Sequence, residues 1–282
     1  LSIVTNISLE HSQLLGNSAA EIAAEKAGII KADSGVITAV NQPEALKIIK
    51  DRAEVKNAKF INLKQEYEII KGSSSLEKNL ITLKRRGRAR ENYQLSLLGK
   101  HQAENAALAL RTVEELNQKL PTNKKQIKRA LKNVYCPARM QRISSKPMII
   151  LDAAHNPAAF KELLKNISDS DSDFKDLHLL FSVLKDKDLN AILEEFSAAL
   201  LKPKFYIAEN SSFRTIKIDK LEESIKNKEF EYEVFDSLAE AGQSALRNAD
   251  KADLILAAGS FNTVFEAGIE FMSKGIRGGE NE

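Results

Sequence analysis

The 282 residues include 43% hydrophobic side chains and carry a formal net charge of +3. This is enough apolar material for ordinary cores, a length that suits about two domains, and too little charge to imply nucleic acid. No apolar run approaches the ~20 residues of a membrane span, and no basic start leads into an apolar h-region. The single cysteine, Cys136, excludes a disulfide framework. Together these features predict a cytoplasmic protein with neither membrane nor nucleic acid as partner. The first residue is Leu1 rather than methionine, which suits a fragment, a processed product or an unusual start codon.

The apolar run Leu1 to Val4 ends in Thr5-Asn6, and a loop then carries Glu10 and His11. Ser18, followed by Glu21, is the capping box that opens a helix. From there Ala19, Ile22, Ala23, Lys26, Ile29 and Ile30 recur at helical spacing and draw one apolar stripe. Lys26 lies on that stripe. A bare buried ammonium is costly, so an inward lysine must be neutralised, paired or modified. The blander reading is a long stem lying on apolar surface with its head in water.

Gly35 to Val40 is β-branched and apolar and predicts a strand. Gln42-Pro43 starts a helix with proline in its first turn, running to Val55, and Lys59 to Leu63 is a further strand. This β-α-β alternation predicts a parallel sheet. The segments Tyr67 to Ile70, Leu80 to Leu83 and Tyr93 to Leu97 alternate over short stretches and predict a small antiparallel edge sheet. The basic run Lys84 to Arg90 has no interleaved aromatics, and Glu91 follows it directly, so it reads as a solvated hairpin turn. Leu98 to Asn117 is rich in Ala and Leu and predicts a helix entered after Gly99. His101 and Asn105 share a face near its N-terminus, the end that favours phosphate. The amide of Asn105 can donate and accept at once, which matches an adenine edge. Two ordinary polar residues in a first turn would look the same. A further helical piece with a basic face spans Pro121 to Ala130.

Cys136-Pro-Ala-Arg-Met-Gln-Arg-Ile143 is stiffened by proline and reads as a hinge. Met148 to Leu151, a buried strand, then leads into Asp152-Ala-Ala-His155-Asn156-Pro157 and a helix. An acidic residue at a strand's carboxyl end is where open α/β sheets bind ligands, and Asn156-Pro157 also suits an N-cap with proline at N1. Strands at 177–181, 204–208, 232–235 and 253–257 alternate with helices to the end. With the opening strand they make five β-α units. The last strand ends in Gly259-Ser260-Phe261, and the final residues, Gly275 to Glu282, read as a frayed tail. No G-x-G-x-x-G, CxxC pair, H-E-x-x-H or internal repeat occurs.

Several of these stretches carry a resemblance. T-N-I-x-L-x-H with E-K-A-G-I-I-K, then H-Q-x-x-N, P-A-R and D-A-A-H-N-P, are similar to the Mur ligase superfamily, in its folylpolyglutamate synthase/dihydrofolate synthase branch. The resemblance implies a parallel-sheet Mur-ligase central (ATPase) domain, here truncated, over residues 1–140, followed by a Rossmann-like C-terminal domain over 141–282. It implies an ATP-dependent ligase that adds glutamate to folates through an acyl phosphate, with ATP and Mg2+ as cofactors and folate and L-glutamate as substrates. His11 would be a metal ligand, and Lys26 would be carbamylated and hold the metal site beside the phosphates. A desolvated lysine has a lowered pKa, so its neutral amine can take up CO2, and the anionic product suits a hard cation. Asn105, Arg139 and Asp152 would contact ATP, Arg139 through its bidentate fork and Asp152 at the ribose. His155 would lie towards the incoming amino acid, as would Ser260.

The sequence departs from the family in Glu10, where aspartate is more usual, and in Ala138, where glycine is usual. It also contains no phosphate loop G-x-x-x-x-G-K-[ST], whose amides and lysine hold the β- and γ-phosphates. The expectation is therefore a truncated chain with little ligase activity alone and an uncarbamylated Lys26. It could work with a separately encoded N-terminal P-loop half. The other readings are a non-catalytic remnant and another Mur ligase acting on peptidoglycan precursors; E-K-A-G-I and H-Q-x-x-N favour the folate branch.

Overall fold

A computed structural model describes residues 1–7, 18–76, 78–170, 173–273 and 275. The chain divides into two compact units. The first holds most residues up to Val134, and the second runs from Tyr135 onward and takes in short segments around Leu76 and Leu98.

In the first unit, β1 (Ser2–Val4), β2 (Gly35–Thr38) and β3 (Lys59–Asn62) form a sheet in the order β1-β2-β3. Both pairings are parallel, as the β-α-β alternation requires. Strands covered on both faces read as continuous apolar runs, and Val36-Ile37 illustrates this. Val36 packs with Ile22, Ala23, Ala45 and Ile49 of α1 (Ala19–Ala27) and α2 (Pro43–Val55). Ile37 packs on the opposite side with Ala103, Ala107 and Leu110 of α4 (Gln102–Leu116).

The capping box of α1 forms as expected. Glu21 N–H donates to Ser18 Oγ and Ser18 N–H to Glu21 Oε2, both at 3.2 Å. The apolar stripe is shorter than its spacing suggests. Ile22, Ala23, Ala27 and Ile30 are buried, but Ile29 is 47% exposed, because α1 ends at Ala27 and the chain turns before Ile29.

A one-turn helix, α3 (Leu63–Glu66), follows β3. The alternating segments then form β4 (Tyr67–Ser74), β5 (Asn79–Arg85) and β6 (Arg90–Leu95), a separate three-stranded sheet rather than an edge of the parallel one. Strands β5 and β6 are antiparallel across the basic turn. Ile81, Leu83 and Leu95 join the α4 cluster. Helix α5 (Lys124–Asn133) buries none of its residues fully and lies on this sheet through Ile127 and Leu131.

Arg111 on α4 is 4% exposed. It donates to Glu66 at 2.6 Å and to Glu115 at 2.9 Å, and Lys59 donates to Glu115 at 2.7 Å. Lys59 first, with Arg111, holds the Glu115 carboxyl below its ordinary value of 4.5. A carboxyl depressed in the folded state stabilises above its unfolded pKa, and that stability is lost as pH falls through the folded one. Denaturation midpoints of the first unit should therefore fall on acidification below pH 4.5. Lys59→Met should lower the midpoint at neutral pH and flatten that fall. An unchanged acid slope in Lys59→Met would count against the assignment.

In the second unit six strands run in the order β11-β10-β9-β12-β8-β7. They are β7 (Gln141–Ser145), β8 (Met148–Leu151), β9 (Leu177–Phe181), β10 (Pro203–Ile207), β11 (Tyr232–Val234) and β12 (Leu254–Ala258). All pairings are parallel except that of β7 with β8. Strand β7 begins within the stretch read as a hinge and runs two residues beyond it. Only Ile143 of its five residues is fully buried, so the stretch has little apolar pattern to reveal a strand.

The connecting helices cover both faces. Helices α6 (Pro157–Ser168), α7 (Leu189–Ala198) and α8 (Ile218–Lys226) bury Phe160, Leu163, Ile192, Phe196, Leu221 and Ile225 against one face. Helices α9 (Leu238–Asn248) and α10 (Phe261–Ser273) bury Ala241, Ala245, Val264, Ala267 and Phe271 against the other. Period-two alternation sorts the strand residues. Leu177, Leu179 and Phe181 face the first set of helices, while Leu180 faces the second. No helix among the described residues is long and apolar enough to cross a membrane.

Candidate active site

The residues singled out by sequence fall into both units. In the first, His11 and Glu10 lie outside the described residues. Lys26 is half-buried, and its Nζ donates to the carbonyl of Asn6 at 3.2 Å. Gln42 Nε2 donates to the next carbonyl, Ile7 O, at 2.8 Å. Two side chains thus hold the T-N-I segment from below. No cluster of three His, Cys, Asp or Glu side chains that could hold a metal occurs among the described residues.

Asn105 is exposed on the first turn of α4, with Nδ2 donating to Gln102 Oε1 at 3.0 Å. Gln102 Nε2 lies 3.0 Å from His101 Nε2. An amide N–H must donate here, so the His101 ring presents a lone pair at Nε2. One buried glutamine therefore ties together the two polar residues of the H-Q-x-x-N stretch, and Asn105 keeps its carbonyl and second N–H. Burial lifts the carboxyl of the neighbouring Glu104 above its ordinary value.

In the second unit the candidates converge at the carboxyl ends of the adjacent strands β8 and β12. Asp152, the first residue beyond β8, is 9% exposed. Its Oδ2 accepts from Met140 N–H at 2.7 Å and its Oδ1 from Ala154 N–H at 2.8 Å. Ala153 N–H donates to Ala138 O at 2.9 Å. The P-A-R turn is therefore bound to the D-A-A-H loop by backbone and carboxylate together. Ala138 and Met140 take φ of 57° and 44°, the left-handed region, so Ala138 adopts the conformation for which glycine is usual. Such a residue costs roughly 1–3 kcal/mol, offset here by the bonds from Asp152 and Ala153. Between the two, Arg139 projects to the surface, its guanidinium carbon 5.8 Å from the centre of the Phe261 ring.

His155 Nδ1 lies 2.8 Å from Ala153 O. Only an N–H can face a carbonyl, so the neutral ring carries its proton on Nδ1 and presents Nε2 as an acceptor. Asn156 Oδ1 accepts from Ala159 N–H at 2.8 Å and caps α6, with Pro157 at its first position.

Gly259 follows β12 with φ of 121°, and a Cβ there would meet Ser182 O at 2.3 Å. Its N–H donates to Ala154 O at 2.9 Å. Ser260 is 5% exposed, and its hydroxyl accepts from Thr263 N–H at 3.1 Å, capping α10. It also lies 2.8 Å from Thr263 Oγ1 and within reach of Asn210 Nδ2. Sequence reading missed Asn210, Thr263 and Phe261. The E-N-S-S loop after β10 carries an Asx-turn signal, borne out by Ser212 N–H bonding Asn210 Oδ1 at 3.0 Å. No local pattern reveals that an exposed phenylalanine meets an arginine so far away in sequence.

An antiparallel edge strand, five parallel strands, two helical layers and a carboxylate-bound turn at the strand ends are the features of one class. Residues 138–261, most of the second unit, match the family described as Mur ligase, glutamate ligase domain. More particularly, the chain is similar to the folylpolyglutamate/dihydrofolate synthases over almost its whole length. It is 33% identical over 189 residues to dihydrofolate synthase/folylpolyglutamate synthase of Bacillus subtilis, covering 66% of this chain and 44% of that one. It is 29% identical over 266 residues to the Escherichia coli enzyme of the same name, covering 94% and 58%. The structure of E. coli FolC in complex with DHPP and ADP aligns with a TM-score of 0.79 at 26% identity, covering 97% of this chain and 61% of that one. The chain thus spans less than two thirds of the length of these relatives.

Proposed function

We propose that the chain provides the nucleotide- and glutamate-facing residues of a cytoplasmic, ATP-dependent ligase that joins L-glutamate to folates. The observation that carries this reading is the cluster at the ends of β8 and β12. Asp152, His155, the Gly259-Ser260 turn and the residues on either side of Arg139 are bonded into one rim, at the carboxyl ends of the strands, where open α/β folds bind ligands. Similarity to synthases of this name, one of them solved with ADP, supports it.

In the proposed reaction a folate carboxylate oxygen attacks the γ-phosphorus of ATP, ADP leaves, and an acyl phosphate forms. The amine of glutamate then attacks the acyl carbon, inorganic phosphate departs and an amide remains. Arg139 would meet phosphate oxygens through its fork. Asn105, with its side-chain carbonyl and second N–H, would meet adenine, and the carboxylate of Asp152 a ribose hydroxyl. His155 Nε2, held as an acceptor, would take a proton from the attacking amine. The grip on the β- and γ-phosphates is assigned to a P-loop other than these 282 residues, on the same or a separate polypeptide. Mg2+, which the sequence resemblance implies, enters no step.

Titration of the chain with a fluorescent ADP tests this reading. Arg139→Ala should weaken binding about tenfold or more, since hydrogen bonds to charged groups contribute roughly 1.5–3 kcal/mol. With a P-loop segment supplied, radiolabelled glutamate should enter a folate acceptor. Incorporation into a muramoyl acceptor instead would overturn the folate assignment.

A further inference from the structure

We infer that Phe261 is a positioning residue for Arg139, a platform that holds the guanidinium where it meets the nucleotide. The inference rests on the reading of Arg139 as a phosphate-binding group. Phe261 is the first residue of α10, and its ring is 56% exposed. A large apolar side chain this open contributes little to the core. Its ring instead carries the Arg139 guanidinium at 5.8 Å, within reach of the attraction between a cation and an aromatic face.

Both backbones are fixed by the same three residues. Asp152 Oδ2 accepts from Met140 N–H and Ala153 N–H donates to Ala138 O, which fixes the chain on either side of Arg139. Ala154 O accepts from Gly259 N–H, which fixes the start of α10. Gly259 packs against the Ser182 carbonyl where no side chain fits, and Ser260 caps the helix, so Phe261 has one direction in which to leave. The segment 152–154 thus sets the spacing of arginine and phenylalanine. An unsupported arginine samples many rotamers and loses that freedom on meeting a phosphate; a guanidinium already held on a ring loses less.

Two measurements on the whole 282-residue chain test this. In nitrogen–proton correlation spectra, the ring current of Phe261 should shift the Arg139 Nε–Hε signal. Phe261→Leu should abolish the shift and Phe261→Trp should retain one. In ADP titrations Phe261→Leu should weaken affinity about two- to fivefold, the range of an exposed cation–π contact, while Phe261→Tyr and Phe261→Trp restore it. In an Arg139→Ala background Phe261→Leu should have no further effect. An Arg139 signal indifferent to Phe261→Leu overturns the proposal alone. So does equal weakening by Phe261→Leu with and without Arg139, or wild-type ADP affinity in Phe261→Leu when Arg139→Ala binds poorly. Failure of the wild-type chain to bind ADP, or wild-type affinity in Arg139→Ala, overturns the nucleotide reading and the proposal with it.

Discussion

Asp152→Ala is expected to loosen the whole rim of the second unit. The carboxylate accepts two buried backbone N–H groups, from Met140 and Ala154. Each would be left without that partner, and a buried unsatisfied donor costs about 1–3 kcal/mol, so the loss is about 2–6 kcal/mol. It falls first on the left-handed pair Ala138 and Met140, whose strained backbone Asp152 helps to hold. Hydrogen exchange should show this directly: the amides of Met140 and Ala154 should exchange at least tenfold faster, while those of β9 and β10 change less. Asp152→Asn keeps one accepting oxygen and should lose less. If Asp152→Ala leaves the Met140 and Ala154 amides as protected as in the wild type, the carboxylate does not hold the turn. Because the turn presents Arg139, the same substitution should also weaken ADP binding, with no need for Asp152 to touch the nucleotide.

The second large effect is expected from Phe196→Ala. Phe196 on α7 is fully buried amid Phe160, Phe181 and Phe205, with ring centroids 5.1, 6.1 and 5.6 Å away. Truncation removes the apolar contacts and leaves a cavity that close-packed neighbours fill only partly, a cost of about 3–5 kcal/mol. Phe196→Leu retains most of the volume and should cost less. Urea unfolding of the second unit should show a lower midpoint for Phe196→Ala. A midpoint within error of the wild type would mean that this face of the sheet is not packed as described.

Much of the fold was legible because its signals are local. The capping box Ser18/Glu21 involves neighbouring residues and formed as expected. Proline at the first turn opens α2 and α6. Strands β8 and β12 of the second unit, buried throughout, read as unbroken apolar runs, and 177–181 matches β9 residue for residue. Strand β7 was not legible, because Gln141, Arg142, Ser144 and Ser145 look like loop residues until β8 pairs with them. The small sheet was read as antiparallel, but its independence from the parallel one depends on what packs between Ile81, Leu83 and α4.

The environment of Lys26 shows the same division. Helical spacing placed it on an inward stripe, and it is half-buried, which a stem lying on apolar surface would also give. That its ammonium holds the Asn6 carbonyl depends on how the chain after β1 passes the helix. Ile29, on the same stripe, is exposed because the helix stops short of it.

By itself, the sequence determined the approximate place of most elements, though not β7, and which short motifs carry polar groups to the strand ends. These follow from interactions within a turn or two of chain. Tertiary structure alone decided what those groups touch. Strand β12 enters between β9 and β8, and this strand order brings Gly259 beside Ala154 and Phe261 under Arg139. It also buries His178 between Tyr206 and Asp253, the latter 75 residues away. Side chains that far apart meet only when strands pair and helices cover them, so no periodicity within the chain encodes the contact.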